Sequence, residues 1–158
     1  VQLLSEAGSS FVTGPNINIY NHRSLDLMAG QGMRRWVLPP ELGLEALGDL
    51  QAARPEGIET EVFAFGRLPL AWSARCYTAR SLNLPKDKCQ FKCIDYPDGR
   101  LLQTREGEAF LVLNGIQTQS ALTHQVLGQV PELRALKVDV LRISPQAEHT
   151  FRILDIFA

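Results

Sequence analysis

Histidine and cysteine are scarce in this sequence, with three of each among 158 residues, and the scarcity excludes several chemistries. His22, His124 and His149 are dispersed, so there is no His-Glu-x-x-His zinc motif, and Ser73 lacks both a Gly-x-Ser-x-Gly elbow and a histidine at telling spacing. No Gly-x-Gly-x-x-Gly or Walker-type loop opens a helical pattern, which leaves nucleotide binding without support. Every apolar run is interrupted by Arg, Asp, Gly or Pro, so no membrane span is expected. A net charge of -1 gives no general attraction for nucleic acid or anionic membranes. Internal repeats and low-complexity tracts are absent as well.

What is present fits one globular domain over residues 1–158, with 45% hydrophobic and 21% charged residues, enough to bury a core. Val1 to Gly8 reads as the end of a helix, without initiator Met or signal-peptide pattern, as in the later part of a longer protein. Reduced cysteines and this composition point to a cytoplasmic location.

Cys76, Cys89 and Cys93 form a Cys-x12-Cys-x3-Cys pattern, the strongest chemical signal in the chain. Three thiols cannot all pair as disulfides, and metal binding is the leading reading. Cys89 and Cys93 stand four apart, so one helical turn would place both sulfurs on one side, with Cys76 brought back by the intervening loop. Arg75, Arg80, Lys86, Lys88 and Lys92 crowd the segment. Such cations favour thiolates and offset the charge of a thiolate-ligated cluster. Zinc competes, but its usual tight Cys-x2-Cys knuckles are missing. A solvated basic loop with buried cysteines is the plainer alternative.

Apolar β-rich runs alternate with helical patterns, which argues for α/β architecture with parallel strands. The strands expected are Phe11–Thr13 continuing into Asn16–Asn21, Arg35–Leu38, Ile58–Phe65, Phe110–Asn114 and Val138–Ile143. Helices are expected around Leu25–Met28, after Pro39-Pro40-Glu41 through Leu50, over Ser120–Leu127 and over Pro145–Phe157. Residues 66–105 read as an irregular cysteine-containing loop region with a turn at Tyr96–Gly99 and a short hairpin strand around Leu101. Five strands are too few for a complete eight-stranded barrel of about 250 residues, so a partial TIM-like (β/α) barrel with an inserted cysteine loop is expected. An open doubly wound sheet has the same rhythm.

Several segments resemble a known family. Gly14-Pro15-Asn16-Ile17-Asn18-Ile19-Tyr20-Asn21 and the run from Glu61 to Cys76 are similar to signature segments of peptidase family U32, the collagenase-like peptidases of unassigned mechanism. Within it, Leu68-Pro69-Leu70-Ala71, Ser73-Ala74-Arg75-Cys76-Tyr77-Thr78-Ala79-Arg80, Asn114-Gly115-Ile116-Gln117-Thr118 and Arg142-Ile143-Ser144-Pro145-Gln146 resemble the branch serving anaerobic ubiquinone biosynthesis. The resemblance implies a 4Fe-4S cluster with Cys76, Cys89 and Cys93 as three of four ligands and the fourth in an amino-terminal half of the family protein. It also implies a heterodimer with a related subunit and oxygen-independent hydroxylation of a ubiquinone precursor. Other family members hydroxylate RNA, with prephenate implicated as oxygen donor.

Outside the cysteines, Glu61, Arg75 and Arg142 are the candidate catalytic or pocket residues. A carboxylate on a central strand is costly to bury alone, so Glu61 either faces a polar barrel mouth or meets a cation such as Arg75 or Arg142; a structural ion pair serves equally. Arg67, Arg75 and Arg142 suit bidentate binding of a carboxylate substrate. Trp72 and Tyr77 could stack on a ring or pack in the core, and Asn21 and Asn114 could orient ligands or cap turns. Three functions follow: a cluster-bearing hydroxylase subunit, a partner whose cluster is structural, and a peptidase, the weakest for want of an activated nucleophile. On its own the chain is expected to expose sheet edges and associate with itself.

Overall fold

The computed structural model describes the backbone of residues 1–158 and every side chain except that of Lys86; this member of the basic cysteine flank lies outside the described residues. From the amino terminus run α1 (Gln2–Glu6), β1 (Phe11–Thr13), α2 (His22–Gly30), β2 (Met33–Val37), α3 (Leu44–Ala52) and β3 (Glu59–Gly66). The middle of the chain forms β4 (Pro69–Trp72), α4 (Tyr77–Ser81), β5 (Arg100–Gln103), β6 (Ala109–Asn114), β7 (Gln117–Ser120) and β8 (His124–Gln125). It closes with α5 (Val130–Ala135), β9 (Val140–Ile143) and α6 (Thr150–Phe157). Two compact units result, one of residues 1–64 and 126–142, the other of residues 65–125 and 143–158.

The first unit is α/β. β1 pairs β2 and β2 pairs β3, both parallel, with Arg35 opposite Glu59 and Trp36 opposite Thr60. β9 lies on the far side of β3, and the Asp139 N–H donates to the Thr60 carbonyl at 3.1 Å. Parallel strands alternating with helices are the pattern of part of a TIM-like (β/α) barrel. Trp36, Leu25, Met33 and Leu47 are wholly shielded from solvent. Each such side chain contributes roughly 1.5–3 kcal/mol on burial. In α2, Asn21 caps the first turn by accepting from the Ser24 N–H at 3.0 Å, Leu25 faces inward, and Leu27 stays exposed.

Two boundaries differ from the sequence expectation. The run Asn16–Asn21 is not a strand, because Pro15 opens a single 3-10 turn over Pro15–Ile17 and Asn18 ends it in the left-handed region at φ 59°. Ile19 alone is buried there, while Ile17 is exposed. α3 starts at Leu44 rather than at the prolines, after Gly43 in extended backbone, and buries Leu47 and Leu50 three residues apart.

Thr60 is the hub of a buried polar network in this unit. Its Oγ1 accepts from Trp36 Nε1 at 2.9 Å and from Arg54 Nη1 at 3.0 Å, and donates to Gln51 Oε1 at 2.7 Å. Its N–H donates to Asp139 Oδ2 at 2.8 Å, and Asp139 also pairs with Arg54. Gln51 reaches on to the carbonyls of Leu136 and Lys137. Helix α3 and strands β2 and β3 are thus fastened through one fully buried hydroxyl, while the N–H of the same residue holds Asp139 just before β9.

The second unit centres on an antiparallel sheet in the order β4-β7-β6-β5. The last two residues of β3, Phe65 and Gly66, pair antiparallel with Gln125 and His124 of β8, and Phe65 meets Phe157 of α6 edge-to-face at 6.2 Å. Residues 66–105 contain β4, α4, β5 and 3-10 turns at Lys86–Lys88 and Lys92–Asp95. The turn at Tyr96–Gly99 forms, closed by the Gly99 N–H on the Tyr96 carbonyl at 2.9 Å. Only glycine fits there: φ is +76°, and a Cβ would stand 2.4 Å from Val112 Cγ1 and 2.9 Å from the Leu113 carbonyl.

Phe110–Asn114 is therefore the inner antiparallel strand β6, not a parallel one. The helix expected over Ser120–Leu127 is replaced by the end of β7, a loop and β8. Ser120 explains this, since its hydroxyl accepts from the Leu68 N–H at 3.0 Å and donates to the Leu122 carbonyl at 2.6 Å. The final helix begins at Thr150 rather than Pro145, because His149 adopts φ 64° and the Thr150 hydroxyl bonds both backbone groups of Gln146. Among the described residues no helix is long and apolar enough to cross a membrane.

Candidate functional site

Cys76 is held by a clamp of backbone bonds. The Ser73 N–H donates to the Ile116 carbonyl at 2.8 Å and the Tyr77 N–H to the Gly115 carbonyl at 2.7 Å, while the Gly115 N–H donates to Thr78 Oγ1 at 3.1 Å. The β6–β7 turn, in which Gly115 takes φ 59°, thereby grips the start of α4 on both sides of the cysteine. Cys76 Sγ in turn accepts from the Ala79 N–H at 3.4 Å and caps the helix. A cavity of about 340 Å³ opens here, lined by Arg75, Cys76, Ala79, Arg80, Leu84 and Pro85.

Cys89 and Cys93 do not share a helical turn. Gln90 and Phe91 between them both adopt left-handed backbone, at φ 53° and 52°, and break any helix. Cys89 is half-buried at the end of one 3-10 turn, and Cys93 is exposed within the next. That second turn packs against α4, the helix headed by Cys76. All three cysteines are free thiols. Among the described residues no three His, Cys, Asp or Glu side chains converge into a ready metal site. The donors fit a thiolate-ligated cluster in kind, with Arg75, Arg80 and Lys88 supplying positive charge; their arrangement is not a closed coordination sphere.

Glu61 is buried on β3 and accepts from Arg142 Nε on β9 and from Arg35 Nη1 on β2 at 3.4 Å. Arg35 also binds Glu59 at 2.7 Å, which raises its pKa above the usual guanidinium value. Of the two cations expected beside Glu61, Arg142 is its partner and Arg75 is not; Arg75 is exposed on the rim of the Cys76 cavity. Arg35 went unrecognised in the sequence, where only its register opposite Glu59 could have signalled it. With both arginines bonded to it, Glu61 is a satisfied structural carboxylate in this arrangement.

The remaining candidates are scattered by the fold. Asn21 caps α2, whereas Asn114 is half-buried and donates to Gln119. Trp72 is exposed on the outer strand β4, and Tyr77 is half-buried at the start of α4. His124 lies in β8 and His149 just before α6, so neither sits inside a helix as the sequence suggested. Ser73 Oγ accepts from the Arg75 N–H at 3.0 Å and has no other hydrogen-bond partner among the described residues. Among the described residues no base stands ready to activate it.

The family model of peptidase family U32 matches residues 7–156, nearly the whole chain. The chain belongs to peptidase family U32. Its membership spans both the parallel-stranded unit and the unit with the cysteines, so Glu61, Cys76, Cys89, Cys93 and Arg142 all stand within the matched residues. No solved structure matches it.

Proposed function

We propose that this U32 chain is a UbiV-like protein of oxygen-independent ubiquinone biosynthesis. It acts with a UbiU-like partner in hydroxylating a ubiquinone precursor. Cys76, Cys89 and Cys93 supply three thiolates to a 4Fe-4S cluster, and a fourth comes from outside these 158 residues. The observation that carries this reading is the contact between the two segments most similar to that branch: Ser73 to Arg80 and Asn114 to Thr118 meet through Tyr77, Thr78 and Gly115 beside Cys76. Family U32 membership sets the frame for the finer assignment. When bound, such a cluster supplies one-electron transfer if fully ligated. The chain's own residues anchor it: the β6–β7 turn fixes Cys76, and the exposed arginines beside Cys76 offset its negative charge.

The test is genetic and chemical together. Ubiquinone is quantified in anaerobic cells that lack the full-length protein and are supplied with the wild type or with Cys76→Ala. The wild type restores ubiquinone without oxygen, and the variant does not. Full restoration by Cys76→Ala would sink the proposal. Retained pairing with the partner alongside lost hydroxylation marks a direct role for the cluster, whereas loss of both marks a structural one.

A further inference from the structure

A second cavity, of about 210 Å³, opens in the unit of residues 65–125 and 143–158, and none of the three cysteines lines it. Arg67, Asp98, Asn114, Gln117, Gln119 and Gln146 line it. The hydrogen bonds each makes within the protein define what is left for a ligand. Arg67 Nη1 is engaged by the carbonyls of Ser120 and Ala121, leaving its other N–H donors. Asn114 Nδ2 donates to Gln119 Oε1 at 3.4 Å, so the Asn114 oxygen and the Gln119 amide remain. Gln146 Nε2 is spent on the Ser144 and Pro145 carbonyls at 2.8 and 3.2 Å, so its oxygen remains as an acceptor. The Gln117 carboxamide and the Asp98 carboxylate have no hydrogen-bond partner in the protein among the described residues.

One small cavity thus holds a guanidinium and a carboxylate that are not paired with each other, together with carboxamides offering donors and acceptors. A simple anion would leave Asp98 opposed to it, and a simple cation would leave Arg67 so. We infer that this cavity binds a small zwitterion, an α-amino acid with a polar side chain. Arg67 receives its carboxylate, Asp98 its ammonium group, and Gln117, Gln119 and Gln146 its side chain. The volume lies below the range of about 300–1,000 Å³ usual for larger organic ligands, which suits a metabolite of this size. The inference is independent of the cluster.

The experiment is a titration of the ¹⁵N-labelled full-length protein with L-glutamine, followed through backbone amide shifts. Saturable shifts are expected at Asp98 and at residues 114–119 and 146–147, with a much weaker response to L-leucine. Asp98→Asn removes an exposed charge that no fold contact uses, and it should weaken L-glutamine binding by about three- to fivefold with the spectrum otherwise unchanged. Gln117→Ala should weaken it as well. Absence of saturable shifts, an equal response to D-glucose, or undiminished binding by Asp98→Asn would overturn the inference.

Discussion

Thr78 and Gly115 hold one another across the second unit: the Gly115 N–H donates to Thr78 Oγ1 at 3.1 Å, and the neighbouring Tyr77 N–H returns to the Gly115 carbonyl at 2.7 Å. Thr78 is buried, so removing its hydroxyl strands a backbone donor where water has little access. Thr78→Val is expected to cost roughly 1–3 kcal/mol in urea unfolding. Thr78→Ser should recover most of it. A Thr78→Val variant as stable as the wild type would show that the clamp beside Cys76 carries no weight.

Gly99 makes a sharper demand, because both its positive φ and the approach of Val112 and the Leu113 carbonyl exclude a side chain. Gly99→Ala is expected to lower stability by about 2–4 kcal/mol through backbone strain and overpacking combined. Thermal unfolding measures this, and an unchanged midpoint would contradict the tight approach.

In the first unit, Thr60→Val should leave the indole N–H of Trp36 without its acceptor and cost roughly 1–3 kcal/mol. Asp139→Asn attacks the same hub from the residue just before β9. Since both act on one network, the double variant should lose less than the sum of the single losses. Strict additivity in chemical denaturation would argue against a coupled hub.

Arg142→Met removes one of the two cations on buried Glu61 and is expected to destabilise by about 1.5–3 kcal/mol. Adding Glu61→Gln should restore part of that loss, because the buried charge left with Arg35 alone disappears. A double variant no better than Arg142→Met would mean that Glu61 is not held as a charge by Arg142.

The rhythm of β1, α2, β2, α3 and β3 was legible because β2 and β3 bury apolar residues and the helices between the strands repeat them at three- to four-residue spacing. The Tyr96–Gly99 turn was legible for the same local reason, its Pro-Asp-Gly chemistry. What was not legible depended on side-chain bonds to distant backbone. Ser120 turns an apolar run away from helix by bonding to Leu68 and Leu122, and Thr150 holds Gln146 outside α6. The same holds at the site. The spacing of Cys76, Cys89 and Cys93 was plain, yet left-handed Gln90 and Phe91 keep the last two from one helical turn. Glu61 needed a cation, but its second one, Arg35, became apparent only with the β2–β3 register.

The central claim concerns iron. Full-length protein containing this chain, purified without oxygen together with its partner subunit, should carry about four iron and four sulfide per protomer with visible charge-transfer absorption, and Cys76→Ala, Cys89→Ala and Cys93→Ala should each diminish all three. Colourless, iron-free wild-type protein with its thiols intact would contradict the account.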